Sequence, residues 1–150
     1  MNYSTQFSVK ASPSSVLKAL TQQVISWWGK VDANVAMVGD EFSIYFGTTE
    51  WRFKVTQLTA NQRMEWLCIK AHHEHNSLSN IREEWLNTIV IWDLQEQNDE
   101  TIIKFTHKGL TSKLNCYEVC KTGWDYYLLT SLKDFVETGK GAPYLEEATN

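Results

Sequence analysis

The hydrophobic residues of this chain follow two spacings, which separate helical segments from extended ones. Near the C-terminus they recur at helical spacing with charged residues between them, as on a helix that buries one face. Asn115 can cap the start of such a helix with its side-chain carbonyl, and Gly139 suits the left-handed residue that ends one. The pattern therefore predicts one long helix from Asn115 to Gly139.

Most of the preceding chain alternates hydrophobic and polar residues, which is the pattern of strands with one buried face. The predicted strands are Tyr3–Lys10, Val31–Val38, Glu41–Phe46, Glu50–Thr56, Met64–Ile69, Trp85–Leu94 and Ile103–Lys108. The segment Trp85–Leu94 is apolar on both faces, as a central strand would be. Short turns join most of these segments, so we expect neighbouring strands to pair in an antiparallel meander.

A helix pair is predicted between the first strand and the remaining ones. Ser12 is placed to cap it, and Pro13 occupies the first helical position, where its missing N–H costs nothing. Hydrophobic residues then recur at helical spacing as far as Trp28, and Gly29 follows. The order of elements predicts an α+β fold in which a curved antiparallel sheet wraps around the long C-terminal helix.

Composition and charge narrow the function classes. At 150 residues the chain suits a single domain, and its net charge of −4 without a stripe of Lys or Arg argues against nucleic-acid binding. The sequence shows neither a membrane-spanning stretch nor an export signal. Three cysteines without framework spacing suit a reducing compartment. We therefore expect a cytoplasmic protein that is not integral to a membrane and has no nucleic-acid partner.

Several short motifs are distributed along the chain in a familiar order. They are Phe7–Pro13, Trp27–Trp28, Thr88–Leu94, Thr106–Leu110, Gly123–Trp124, Ser131–Lys133 and Glu137–Gly141. In these motifs and in its order of elements, the chain resembles the helix-grip (SRPBCC) superfamily of START domains, Bet v 1-type pollen proteins and polyketide cyclases. Within that superfamily it most resembles the branch named after the C-terminal domain of the activator of Hsp90 ATPase. The resemblance implies one START/Bet v 1-like domain over residues 1–150.

The resemblance also implies a cavity between the sheet and the C-terminal helix that holds a small hydrophobic or amphipathic ligand. Seven Trp, six Tyr and six Phe could line such a space, although the same rings could form a solid core. The residues predicted to bind the ligand are Phe53, Trp66, Val90, Trp92, Phe105, His107, Tyr117, Cys120, Trp124, Tyr127 and Leu128.

Other candidates for chemistry have structural explanations that we favour. His107 could serve as a general base, but a half-buried histidine bonded to a backbone carbonyl explains it better. His72, His73 and His75 suggest a metal, yet neighbours in an extended segment point to opposite sides. Cys116 and Cys120 share a helix face but have no recognisable partner motif, so they resemble buried hydrophobes.

The adjacent carboxylates Glu83 and Glu84 face opposite sides of an extended segment and cannot act as a catalytic dyad. We interpret them as the solvated approach to the strand that begins at Trp85. The sequence therefore predicts no catalytic residue, no metal and no cofactor.

Three functions remain possible. We favour a non-enzymatic carrier or sensor of a small hydrophobic ligand. The alternatives are a cochaperone module like the Hsp90 activators, and a cyclase- or hydrolase-type enzyme that uses His107 as its base. The related full-length activators carry an additional N-terminal domain, which we expect this chain to lack because it begins at the first strand. A chaperone partner is therefore less favoured, and a homodimer is left open.

Overall fold

A single antiparallel sheet forms most of the computed structural model, which describes residues 1–145. Its strands are β1 Asn2–Val9, β2 Lys30–Val31, β3 Glu41–Phe46, β4 Thr49–Thr59, β5 Arg63–His72, β6 Ile89–Gln97 and β7 Glu100–Thr111. They lie in the order β1-β7-β6-β5-β4-β3-β2, so the first strand pairs with the last. The seven-stranded sheet curls around the C-terminal helix, and the predicted α+β helix-grip fold is confirmed.

The strand registers explain why the concave face is aromatic. Phe42 pairs with Phe53, and Trp92 pairs with Phe105, so rings on neighbouring strands lie side by side. Alternation places these side chains on the buried face, while intervening residues such as Lys54 and Lys104 are exposed. The inward orientation predicted from alternation is therefore confirmed for these strands.

The helix pair after β1 is confirmed, with a shorter second member. Helix α1 spans Pro13–Thr21, and the Ser12 hydroxyl accepts the Ser15 N–H at 3.2 Å. A 3₁₀ turn follows at Val24–Ser26. The indole of Trp27 then donates to the carbonyl of Ala19 at 2.9 Å, which holds this turn against α1.

The C-terminal helix is continuous but not uniformly α-helical. It consists of α2 Tyr117–Tyr126, a π-helical segment Tyr127–Leu132 and α3 Lys133–Thr138. It ends at Gly139, whose φ of 86° is left-handed, as predicted. The sequence pattern did not predict the π-helical segment.

The predicted cap at Asn115 is wrong. The backbone N–H groups of Asn115 and Cys116 both donate to the carboxylate of Glu84, at 2.8 and 2.9 Å. A carboxylate from another part of the chain thus satisfies the donors at the helix start. Glu84 therefore has a structural role that its interpretation as a solvated residue missed.

Two predicted strands are shorter than expected. Of the predicted strand Val31–Val38 only Val31 pairs in the sheet, as the second residue of β2. The Asp40 carboxylate accepts the N–H groups of Ala36 and Met37 and folds the rest of the segment into a loop. The strand predicted from Trp85 begins instead at Ile89. Before it the chain turns, with Asn87 at a φ of 67°.

Aromatic rings fill the space between the middle of the helix and the sheet. The side chains of Phe53, Trp66, Trp92 and Phe105 are completely buried, and Trp66 meets Trp92 edge-on with ring centroids 5.4 Å apart. This part of the interior is a packed core. Within residues 1–145, no helix combines the length and the hydrophobicity needed to cross a membrane.

Candidate functional site

A cavity of about 350 Å³ lies at one end of the interface between the helix and the sheet and is open to solvent. The β3–β4 hairpin, the segment after β5, the chain before β6 and the helix all contribute to it. Its aromatic and aliphatic lining consists of Trp28, Phe46, Trp51, Trp85, Val119, Cys120, Gly123, Trp124, Tyr127 and Tyr144. Its polar lining consists of Thr49, His73, Glu74 and His75.

Four of the lining residues form a continuous stack of indole rings. Trp51 lies on Trp85 with ring centroids 3.9 Å apart, and Trp85 is nearly parallel to Trp124, with an interplanar angle of 7°. Trp124 in turn stacks on Trp28 at 4.8 Å. Rigid, flat rings provide a large apolar surface at little entropic cost. The stack therefore gives the cavity a flat apolar wall.

Polar atoms at the cavity are partly satisfied within the chain. Glu74 bonds the Thr48 hydroxyl at 2.7 Å and the His72 ring at 2.8 Å. These two bonds lower the pKa of Glu74 below its usual range, and the bond from Thr48 has the larger effect. By contrast, the indole Nε1 of Trp51 and the Nδ1 of His73 are buried and have no hydrogen-bond partner among residues 1–145. Such atoms are costly unless something else pairs with them.

His107 lies behind the indole stack and is completely buried. Its Nδ1 accepts the indole N–H of Trp124 at 3.1 Å, and its Nε2 lies 2.8 Å from the Thr88 hydroxyl. Since an indole can only donate, Nδ1 carries no proton and Nε2 donates to Thr88. Burial lowers the pKa of His107 to about 3. The expected half-buried histidine with a carbonyl partner is thus corrected to a buried one bonded to side chains.

Three potential metal ligands meet at the wall of the cavity. The ligand atoms of His73, Cys116 and Cys120 all lie within 4.8 Å of one another. The indole N–H of Trp85 donates to the Cys120 sulfur at 3.3 Å. Hydrogen bonding from Cys120 lowers the pKa of Cys116, while the same interaction, together with burial, raises the pKa of Cys120. One thiol of the pair therefore ionises more readily than an isolated one.

Comparison with models of known protein families shows to which family the chain belongs. The family model described as activator of Hsp90 ATPase homolog 1-like protein matches residues 10–137. The chain belongs to this family. The family is part of the SRPBCC (Bet v 1) superfamily, which agrees with the resemblance noted in the sequence. No curated protein matches the chain.

Solved structures agree with this membership in the activator of Hsp90 ATPase homolog 1-like family. The Aha1 dimer from Colwellia psychrerythraea, solved in solution, is 29% identical, with a TM-score of 0.76 over 94% of this chain and 99% of that one. Protein MLL2253 from Mesorhizobium loti is 20% identical, with a TM-score of 0.67 over 85% of this chain and 92% of that one. DynU16, from the dynemicin biosynthetic locus, is 21% identical, with a TM-score of 0.67 over 92% of this chain and 48% of that one. The last two support the fold alone.

The predicted ligand-binding residues of this family member fall into two groups. Cys120, Trp124 and Tyr127 line the cavity. The remaining eight lie outside its lining, and all of them except the partly buried Tyr117 belong to the buried interior. They are Phe53, Trp66, Val90, Trp92, Phe105, His107, Tyr117 and Leu128. The cavity is therefore nearer the rim of the sheet than the sequence predicted.

Several lining residues were not predicted. Trp85 was assigned to a strand, whereas the turn before β6 brings its ring onto Trp51. Tyr144 follows the helix and is held by its N–H, which donates to the Trp28 carbonyl at 2.9 Å. His73 was considered only with its loop neighbours, although its alternation opposite the more exposed His72 was a signal that it faces inward.

Proposed function

We propose that this protein binds a small, flat amphipathic molecule in the cavity and acts as a carrier or sensor, without catalysis. The observation that carries this proposal is the stack of four indoles that forms the cavity wall. At about 350 Å³ the cavity lies near the lower end of typical ligand sites, so the expected guest is a small ring system. Burial of its apolar surface would supply most of the affinity.

The unpaired indole N–H of Trp51 supports a polar acceptor on the ligand. Three buried indole Nε1 atoms, of Trp51, Trp66 and Trp92, have no hydrogen-bond partner within the described chain, and of these residues Trp51 is the one that lines the cavity. A carbonyl or phenolate oxygen could accept this hydrogen bond, which would orient the ring against the indole stack. The proposed ligand class is therefore aromatic carbonyl and phenolic compounds.

The enzymatic alternative gains little from His107. Both ring nitrogens are already bonded, to Trp124 and to Thr88, and the ring is neutral and enclosed. A general base must be within hydrogen-bond reach of the proton that it removes. We therefore assign His107 to the support of Trp124.

Intrinsic tryptophan fluorescence tests the proposal directly. Flavonoids and other aromatic carbonyl compounds should change the emission saturably in the wild-type chain, because the indoles would contact them. Gly123 lines the cavity, and a Cβ atom built there meets no atom of the described residues within 4 Å, so the longer side chain of Gly123→Leu should occupy the cavity and abolish the response. Thr122→Leu, on the exposed neighbouring position of α2, is the matched control. Equal responses in both variants would refute binding in this cavity.

A cochaperone role is the second proposal. It is supported by the family description and by the similar Aha1 structure. Stimulation of Hsp90 ATPase activity by the purified chain tests it. No stimulation over a wide concentration range would count against this role.

A homodimer is also proposed, since the similar structure from Colwellia psychrerythraea is an Aha1 dimer. Tyr126 and Leu129 are neighbouring apolar residues on the helix that are 46% and 40% exposed, and they are candidates for such an interface. Light scattering after size exclusion should give a dimer mass for the wild type and a monomer mass for Leu129→Lys. A wild-type monomer at high concentration would argue against the homodimer.

The free thiols of Cys68, Cys116 and Cys120 agree with the proposed cytoplasmic location.

A further inference from the structure

His73, Cys116 and Cys120 form a buried cluster of nitrogen and sulfur ligands. Their exposed fractions are 6%, 0% and 6%, and one ligand atom from each lies within 4.8 Å of the others. In residues 1–145 this is the one group of three metal-ligating side chains brought so close together. One nitrogen ligand and two sulfur ligands are thus held together at one buried point.

The fold holds the three residues in place from independent directions. His73 directly follows β5, and its N–H donates to the carbonyl of Arg82 at 3.0 Å. Cys116 and Cys120 lie one turn apart at the start of α2, and the Cys120 N–H donates to the Cys116 carbonyl at 2.8 Å. The carboxylate of Glu84 fixes this turn through the Cys116 N–H. The ligands are therefore positioned by the backbone rather than gathered in a mobile loop.

We propose that His73, Cys116 and Cys120 form a zinc site whose fourth position opens to the cavity. Two thiolates and one imidazole are a recurrent ligand set for Zn²⁺, with an open position for water or another donor. Two thiolates also neutralise the charge of the ion, which favours binding in a buried location. The sulfur ligands select Zn²⁺ over Mg²⁺ and Ca²⁺, which prefer oxygen.

The distances are compatible with this coordination. Zn–S bonds of about 2.3 Å and Zn–N bonds of about 2.0–2.1 Å place ligand atoms roughly 3.4–3.8 Å apart around a tetrahedral ion. The three ligand atoms are within 4.8 Å of one another, so closure on the ion needs movements of about 1 Å or less. Small rotations of the side chains supply movements of this size.

The surroundings provide the outer hydrogen bonds and packing that metal ligands require. The Trp85 indole N–H donates to the Cys120 sulfur at 3.3 Å, which stabilises a thiolate. The His73 ring packs against Trp51 with centroids 4.8 Å apart, and in the part of the chain that the structure describes its buried Nδ1 has no hydrogen-bond partner. The indole stack thus orients two of the three proposed ligands.

The fourth coordination position is directed to the cavity. His73 and Cys120 both line it, whereas Cys116 is enclosed behind them. Two further lining residues, Glu74 and His75, are already engaged: both carboxylate oxygens of Glu74 are bonded, and Nδ1 of His75 bonds Ser77 at 2.9 Å. The fourth ligand is therefore expected to be water or a donor atom that enters through the cavity.

Metal titration of the full chain tests the site independently of the organic ligand. Reduced, metal-free protein is titrated with Zn²⁺ against a chromophoric chelator, and with Co²⁺ as a spectroscopic probe. One equivalent should bind, and Co²⁺ should give tetrahedral d–d bands with thiolate charge transfer. Cys116→Ser, Cys120→Ser and His73→Asn should each weaken Zn²⁺ binding by about 100-fold or more, since loss of an outer partner alone costs about 10- to 100-fold.

Two controls separate this site from adventitious binding. Cys68→Ser removes the buried cysteine outside the cluster and should bind as tightly as the wild type. A His72→Asn/His75→Asn double variant removes the loop histidines and should also retain binding. Metal binding that follows the loop histidines, or that is unchanged in Cys120→Ser, overturns the proposal.

Thermal unfolding of the wild-type protein tests the site without relying on variants of His73, Cys116 or Cys120, which could fail to fold. Zn²⁺ should raise the Tm of the reduced wild-type chain, because an ion that binds the folded state stabilises it. An unchanged Tm and no thiolate charge transfer with Co²⁺ would also overturn the site. Zn²⁺ binding and the fluorescence response to organic ligands are measured separately on the wild-type chain, so failure of either proposal can be recognised separately.

Discussion

The indole N–H of Trp124 donates to Nδ1 of His107 at 3.1 Å and fixes the imidazole in its neutral form. Trp124 belongs to the helix and His107 to β7, so this bond joins the two layers of the fold. The same Trp124 ring stacks on Trp85 and Trp28 at the cavity. A buried histidine thus orients an indole that forms part of the candidate ligand site.

This arrangement predicts a specific loss of stability in acid. The pKa of His107 is about 3 in the folded chain and about 6.5 when exposed, so the unfolded state binds a proton that the folded state excludes. The contribution of His107 is absent above pH 6.5. As the pH falls from 6.5 to 3, it lowers the free energy of unfolding by about 1.4 kcal/mol per pH unit. Urea unfolding at pH 7.5 and 5.0 measures the difference.

His107→Asn should cost stability at pH 7.5, because Asn cannot reach both partners, but it should reduce the acid-dependent loss by about 2 kcal/mol at pH 5.0. His75→Asn, at an exposed position, should leave that loss unchanged. If His107→Asn and the wild type lose equal stability between the two pH values, His107 is not the group responsible.

The start of the C-terminal helix depends on Glu84. Its carboxylate accepts the N–H groups of Asn115 and Cys116, so Glu84→Ala leaves both donors without this partner. The expected decrease in the free energy of unfolding is about 1–2 kcal/mol. The exposed neighbour Glu83 is the matched control, and Glu83→Ala should change stability by less than about 0.5 kcal/mol in the same denaturation assay. Equal losses would show that the cap is not stabilising.

Local patterns predicted the elements that depend on local chemistry. Alternation placed Phe53 and Trp66 on the inward face, since side chains of a strand alternate whatever the strand pairs with. Ser12 and Gly139 marked helix ends because caps act through neighbouring backbone groups. These features depend on residues close together in sequence.

The features that the sequence did not show depend on long-range contacts. Glu84 caps a helix from which β6 and β7 separate it in the sequence. No local signal near Asn115 distinguishes this arrangement from a cap formed by the Asn115 side chain. His73 meets Cys120 only because β5 ends beside α2, so the two groups appeared as unrelated motifs. The position of the cavity likewise depends on Tyr144, which follows the helix end and packs back onto Phe46 with centroids 5.2 Å apart.

The π-helical segment is held by a buried serine. Ser131 donates to the Trp27 carbonyl at 2.6 Å and accepts the Ala142 N–H at 2.8 Å. Ser131→Ala leaves both backbone groups unpaired and should lower the free energy of unfolding by about 1–3 kcal/mol. Thr130→Ala, at the exposed neighbouring position, should have little effect in parallel urea unfolding. A neutral Ser131→Ala would mean that water replaces the hydroxyl.

Substitution of Gly123 is expected to raise the stability of the fold and to weaken ligand binding. Gly123 lies within α2, where glycine is less favourable than alanine by about 1 kcal/mol, and a Cβ atom there would meet no atom of residues 1–145 within 4 Å. Gly123→Ala should therefore raise the free energy of unfolding by about 0.5–1 kcal/mol, measured by urea denaturation. Its methyl group enters the cavity, so ligand affinity should fall partly in Gly123→Ala and fully in Gly123→Leu. A stabilised Gly123→Ala with undiminished affinity for every fluorescent ligand would show that the space beside Gly123 is not used in binding.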